Sequence, residues 1–74
     1  MNIWTIFDAA GRPIGSPFQS KELCIRSLKM THYKEIRKAS FVHNQDGQCN
    51  FFVGPNLVAR IKLVHVKNIA ERLL

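Results

Sequence analysis

The chain opens on an almost unbroken apolar stretch. In residues 2–7, Asn2-Ile3-Trp4-Thr5-Ile6-Phe7, Ile3 and Phe7 point to one side of an extended chain and Trp4 and Ile6 to the other. β-Branched and aromatic residues on both alternating faces predict a strand set inside a sheet and covered on both sides. Asp8-Ala9-Ala10-Gly11-Arg12-Pro13 reads as a turn with Gly11 supplying a positive φ, and Pro13-Ile14-Gly15 as a short edge strand, where a missing backbone donor is tolerated. Ser20 is a good N-cap and Glu22 suits the first turn of a helix, which the pattern carries from Lys21 to Tyr33. Leu23, Cys24, Ser27, Leu28 and Thr31 form its inner face at helical spacing; Glu22, Arg26, Lys29, Tyr33 and, with continued helix, Arg37 form its outer face.

The second half alternates. Ser40 to Asn44 and Cys49 to Val53 flank Gln45-Asp46-Gly47-Gln48, and Asp-Gly between two β-rich runs predicts a hairpin with a two-residue turn. That turn sets Asn44 opposite Cys49, Val42 opposite Phe51 and Phe41 opposite Phe52. Gly54-Pro55-Asn56 makes the next turn, and Leu57 to Val66 a third strand. A single helix over 56–74 competes, but Val58, Ile61, Val64 and Val66 lose rotamer freedom in helices. Asn68-Ile69-Ala70-Glu71 resembles a capping box opening a short C-terminal helix. The expected architecture is one α+β domain over residues 1–74. It has the order β-α-β-β-β plus the short C-terminal helix, with an antiparallel sheet of three to five strands and one main helix on one face, in two layers.

Continuing the pairing across the second turn puts Phe52 opposite Ala59 and Phe51 opposite Arg60. One face then holds Phe41, Phe52, Ala59, Ile61 and Leu63 and meets the helix. The other holds Val42, Cys49, Phe51, Arg60 and Lys62. An aromatic ring among cations suits stacking of single-stranded nucleic acid; the plainer alternative is a ring covered by a terminal segment, with the cations serving solubility. A one-residue change in the turn exchanges the two faces.

Size and charge narrow the function. At 74 residues the chain buries only roughly 60% of its unfolded surface, and a deep catalytic cleft would draw on the same few core side chains. The 46% hydrophobic content is that of a folded protein, and no apolar run approaches the ~18 residues that span a bilayer. The first residues lack the charge and cleavage pattern of a signal peptide. Cys24 and Cys49 are too few for a disulfide scaffold and read as reduced thiols of a cytoplasmic protein, although one bridge between them is compatible with the spacing. Eleven Lys and Arg against five Asp and Glu give a formal charge of +6, which favours polyanions or an acidic partner.

No enzyme is expected. Ser40, His43 and Asp46 are near in sequence but diverge on a hairpin, and no acid–base pair stands out. Cys24, His32, His43 and Cys49 lack zinc-ligand spacing, and Gly11 and Gly15 form no phosphate loop, so no metal or cofactor is expected. Two binding functions remain. In the first, Arg26, Lys29, Tyr33, Lys34, Arg37 and Lys38 of the helix and its exit, with Phe51, Arg60 and Lys62 of the sheet, bind nucleic acid or a complex that handles it. No helix-turn-helix, RNP-type motif or GXXG loop is present, which points to non-specific or shape-driven contact. In the second, the chain is a protein-binding inhibitor or adaptor of the mobile-element type, for example an anti-CRISPR-like blocker of a host defence complex, docking on an acidic surface. A homodimer through an open strand edge is compatible with either.

Overall fold

The computed structural model describes residues 2–65. It contains a five-stranded antiparallel sheet and a helix: β1 (Asn2–Asp8), β2 (Pro13–Phe18), α1 (Lys21–Thr31), a 3-10 helix (Tyr33–Lys38), β3 (Ala39–His43), β4 (Cys49–Val53) and β5 (Asn56–His65). The strands lie in the order β2-β1-β5-β4-β3, so β5 returns from the meander to pair with β1 along its whole length, from Asn2 opposite His65 to Asp8 opposite Ala59. Residues 57–65 are therefore strand rather than helix, as their β-branched content favours. The short helix expected around Asn68–Glu71, and Val66 at the end of the expected third strand, lie outside the described residues.

Both three-residue hairpin loops have one construction. Asp8 donates its N–H to the Arg12 carbonyl at 2.8 Å and Gly11 donates to the Asp8 carbonyl at 3.0 Å; Asn44 donates to Gln48 at 2.8 Å and Gly47 to Asn44 at 3.1 Å. Gly11 and Gly47 hold φ of 91° and 87°, the left-handed residue that ends a type I turn and forms a G1 bulge. Side chains brace each loop: the Asp8 carboxylate accepts from the Arg12 N–H at 2.8 Å, and Asp46 accepts from Gln48 at 3.0 Å. The loop of the second hairpin is thus Gln45-Asp46-Gly47, one residue longer than the Asp-Gly turn expected from the sequence.

That extra residue moves β4. Phe41 faces Phe51 and Val42 faces Asn50; on the other side Phe51 faces Ala59 and Asn50 faces Arg60. The β4–β5 turn is Gly54-Pro55 between Val53 and Asn56, one residue earlier than the Gly54–Leu57 closure behind the expected register, and an irregularity beside Phe52 leaves Val58 without a direct partner. Relative to β3 and β5 the sequence-based pairing displaced β4 by one residue at both edges. The expected face of Phe41, Ala59, Ile61 and Leu63 keeps its side, although Leu63 is exposed; Phe51 rather than Phe52 completes it, together with Cys49, which was expected on the opposite face.

The core lies between this face and α1. Ile6, Cys49, Phe51, Ala59 and Ile61 from the sheet meet Cys24 and Leu28 from the helix. Ser20 caps the helix, its hydroxyl accepting from the Leu23 N–H at 3.2 Å. The helix ends at Thr31 rather than Tyr33. The Thr31 hydroxyl donates to the Ser27 and Leu28 carbonyls, and His32 brings both its N–H and its ring Nδ1 to the Leu28 carbonyl. Side chains that compete for the last carbonyls favour a stop there. The chain then tightens into the 3-10 turn that leads to β3.

Candidate nucleic-acid interface

Alternation places Ile3, Thr5 and Phe7 of β1, Arg60 and Lys62 of β5, Asn50 and Phe52 of β4, and Ser40 and Val42 of β3 on the side of the sheet away from α1. No described element covers this side. Of these residues only Thr5 is buried. β1 was expected to be covered on both sides; it is interior in the sheet, but only its Trp4 and Ile6 side faces the helix layer.

Arg60 sits at the middle of the open face. Cross-strand partners run Pro13, Phe7, Arg60, Asn50, Val42 from one edge to the other. The exposed guanidinium therefore has an aromatic ring on one flank and an amide on the other. Lys62, two residues on, carries its ammonium 5.5 Å from the centre of the Phe7 ring. Phe52 lies two residues beyond Asn50 along β4, opposite Ser40 and Leu57, and is half-buried. Phe7 and Phe52 flank β5 on its two sides, about two strand spacings or ~10 Å apart across the sheet.

The residues expected to bind divide into three groups. Arg60 and Lys62 are on the open face. Arg26 and Lys29 lie on the outer surface of α1, beside a shallow hollow that they line with Glu22 and Ile25, and Lys29 reaches 5.9 Å over the Phe41 ring. Tyr33, Lys34, Arg37 and Lys38 follow on the 3-10 turn, all exposed. Arg26 and Lys29 on α1 thus lie on the opposite side of the sheet from Arg60 and Lys62. Phe51 belongs to neither group: it is completely buried, its ring 4.7 Å from Phe41 and 5.2 Å from His32. The aromatic of the open face is Phe52, joined by Phe7, which sequence reasoning did not nominate. The signal for Phe7 was its alternation with Ile6, which places it on the Arg60 side once β1 is paired with β5.

Other candidate chemistry is structural. Cys24 and Cys49 are free and fully buried. Burial pushes the Cys24 thiol up to about 11, against a smaller opposing backbone hydrogen bond, and it raises Cys49 despite the nearby Lys21 charge. Raised thiols are poor nucleophiles and poor ligands. Lys21 itself is engaged, donating to the Gly47 carbonyl at 3.2 Å and lying 5.8 Å over Trp4. Among the described residues no three His, Cys, Asp or Glu gather to hold a metal ion, and no helix is long and apolar enough to cross a membrane.

No protein-family model matches the chain, and comparison with curated proteins and with solved structures finds no significant match.

Proposed function

We propose that this chain is a small non-enzymatic binding module that holds single-stranded nucleic acid on the open face of its sheet. The observation that carries the reading is the pair of cations at the centre of that face, Arg60 and Lys62, set between two half-buried rings, Phe7 and Phe52. Phosphates would meet the cations, and splayed bases would stack on the aromatics, which stand two strands apart and two residues out of line. Sequence specificity is expected to be slight, because every base offers a π-face.

Titration of labelled single-stranded oligonucleotides at low and moderate salt tests the reading. Phe52→Ala should lose about 1–3 kcal/mol of binding, the range for one base–aromatic stack. Arg60→Ala with Lys62→Ala should weaken binding and flatten the logarithmic salt slope by about 1.4, two phosphate contacts at ~0.7 each. Arg26→Ala with Lys29→Ala, on the opposite side, should change affinity far less. Binding that ignores the sheet substitutions and collapses with the helix pair would refute the proposal.

One observation favours a protein partner as the second reading. Met30, Tyr33 and Ile36 are 70%, 64% and 43% exposed and recur every third residue around the end of α1 and the 3-10 turn. In 3-10 geometry residues three apart eclipse one another, so Tyr33 and Ile36 form one apolar row between the Lys34–Arg37 row and the Glu35–Lys38 row. Exposed apolar residues rimmed by charge suit a protein surface. Stable capture of a protein that is abolished by Tyr33→Ala with Ile36→Ala, without measurable oligonucleotide binding, would favour this reading over the first.

A further inference from the structure

The two edges of the sheet are built differently. The β2 edge carries Pro13 and Pro17, has Gly15 at φ 65°, and pairs with β1 through an irregular register between Trp4 and Ile6. Prolines, glycine and bulges are the devices by which proteins keep an edge from pairing with another chain. The β3 edge, Ala39-Ser40-Phe41-Val42-His43, has none of them and no Lys, Arg, Asp or Glu. Among the described residues it pairs only with β4.

The backbone groups of β3 can be sorted. Asn44 bonds toward β4 through Gln48, and the Lys38 carbonyl accepts from the Gly54 N–H at 2.8 Å, so the even-numbered residues between them turn inward. Ala39, Phe41 and His43 turn outward. The Ala39 N–H is already given to the Ile36 carbonyl. That leaves the Phe41 and His43 N–H groups and the Ala39, Phe41 and His43 carbonyls.

We propose that this edge pairs with a second copy of the chain, β3 against β3, antiparallel about a two-fold axis at Phe41. In that register Phe41 exchanges two hydrogen bonds with its counterpart, and each His43 N–H donates to the other copy's Ala39 carbonyl. The four bonds use every free donor of the edge. Phe41 meets Phe41, an aromatic cross-strand pair that covers the flank left open by Phe51, and Val42, 48% exposed, faces Ser40. Lys38 faces Asn44, so no like charges oppose along the strand, while the two Lys29 ammoniums, each 5.9 Å over its own Phe41 ring, approach at the axis and add to the repulsion that salt screens. The result is a ten-stranded sheet with one continuous open face. A five-residue edge buries less than the ~1,200 Å² of stable interfaces, so association is weak, with a dissociation constant on the order of 100 μM. Two copies at +6 each repel, so added salt strengthens the dimer, the reverse of nucleic-acid binding.

Sedimentation over a concentration series at two salt levels, with amide hydrogen exchange, tests this independently of the function proposed above. The expected result is growth from 8.5 kDa toward twice that mass, greater at high salt, with the Phe41 and His43 amides gaining protection as concentration rises. His43→Pro, and chemically synthesised protein N-methylated at the Phe41 amide, each remove outward donors while keeping the β3–β4 ladder. Both should remain monomeric with an unchanged circular dichroism spectrum. A chain that stays monomeric near millimolar concentration, a dimer whose Phe41 and His43 amides stay unprotected, or an edge that binds a foreign extended peptide but never its own copy would overturn the proposal.

Discussion

Phe51 and Phe52 are chemically identical neighbours that a single step of strand alternation sends to opposite sides of the sheet. Phe51→Ala leaves a cavity beneath Phe41 and His32 and is expected to cost about 3–5 kcal/mol, enough to unfold much of a small domain; a denaturant midpoint measures it. Phe52→Ala should cost far less stability and act on binding instead. The sequence could not separate the two, because both sit in one apolar run, Phe51-Phe52-Val53, that is compatible with either face. The buried thiols give a second expectation at this scale. Cys24 and Cys49 should react with a thiol reagent only as fast as the core opens, so labelling accelerates with denaturant. The unfolded chain loses its thiol protons near the ordinary 9.0, whereas folded Cys24 keeps its proton to about 11. The stabilising contribution of Cys24 is therefore complete below pH 9 and declines as pH rises toward 11, which denaturation at pH 8 and pH 10.5 would show.

Elements were more legible than their pairing. The first strand, the Ser20-capped helix, the hairpin and the long last strand all follow from periodicity and turn residues. The register of β4 did not, because Asp46-Gly47 suits both a two-residue turn and the tail of a three-residue one. The decisive contacts are the Asn44–Gln48 closure and the left-handed Gly47, and neither can be read from dipeptide preference. Asp8 to Arg12, with Gly11 in the corresponding place, is the same loop without the ambiguous dipeptide. Gly47→Ala should cost about 1–2 kcal/mol through the left-handed strain. Deleting Gln45 leaves Asp46-Gly47 as a two-residue turn closed by the same Asn44–Gln48 pair, so Phe41 stays opposite Phe51 and the variant is expected to keep cooperative thermal unfolding.

At the scale of the molecule the cationic excess is real, but the fold shares it between two sides rather than gathering it. Composition gave the charge; only the arrangement of strands shows that Arg60 and Lys62 face away from Arg26 and Lys29. A protein with both sides positive can touch two polyanions at once. Under saturating oligonucleotide the sheet pair should dominate the salt slope, and the helix pair should matter chiefly where protein and nucleic acid crosslink into larger species, which light scattering at low salt would register. Position in the sheet, not residue type, decides which of the basic residues share a side.

β5 is the strand that joins the amino-terminal hairpin to the β3–β4 hairpin, since β1 and β4 lie on its two sides and do not touch each other. During synthesis on the ribosome, Trp4 and Ile6, already paired with Phe18 and Ile14 of β2, therefore wait for residues 56–65 before Leu63 and Ile61 pair with them on the other side. Assembly is postponed until almost the last described residue has been made. A nascent chain that stalls before β5 presents two unjoined hairpins to chaperones and proteases rather than a half-built domain.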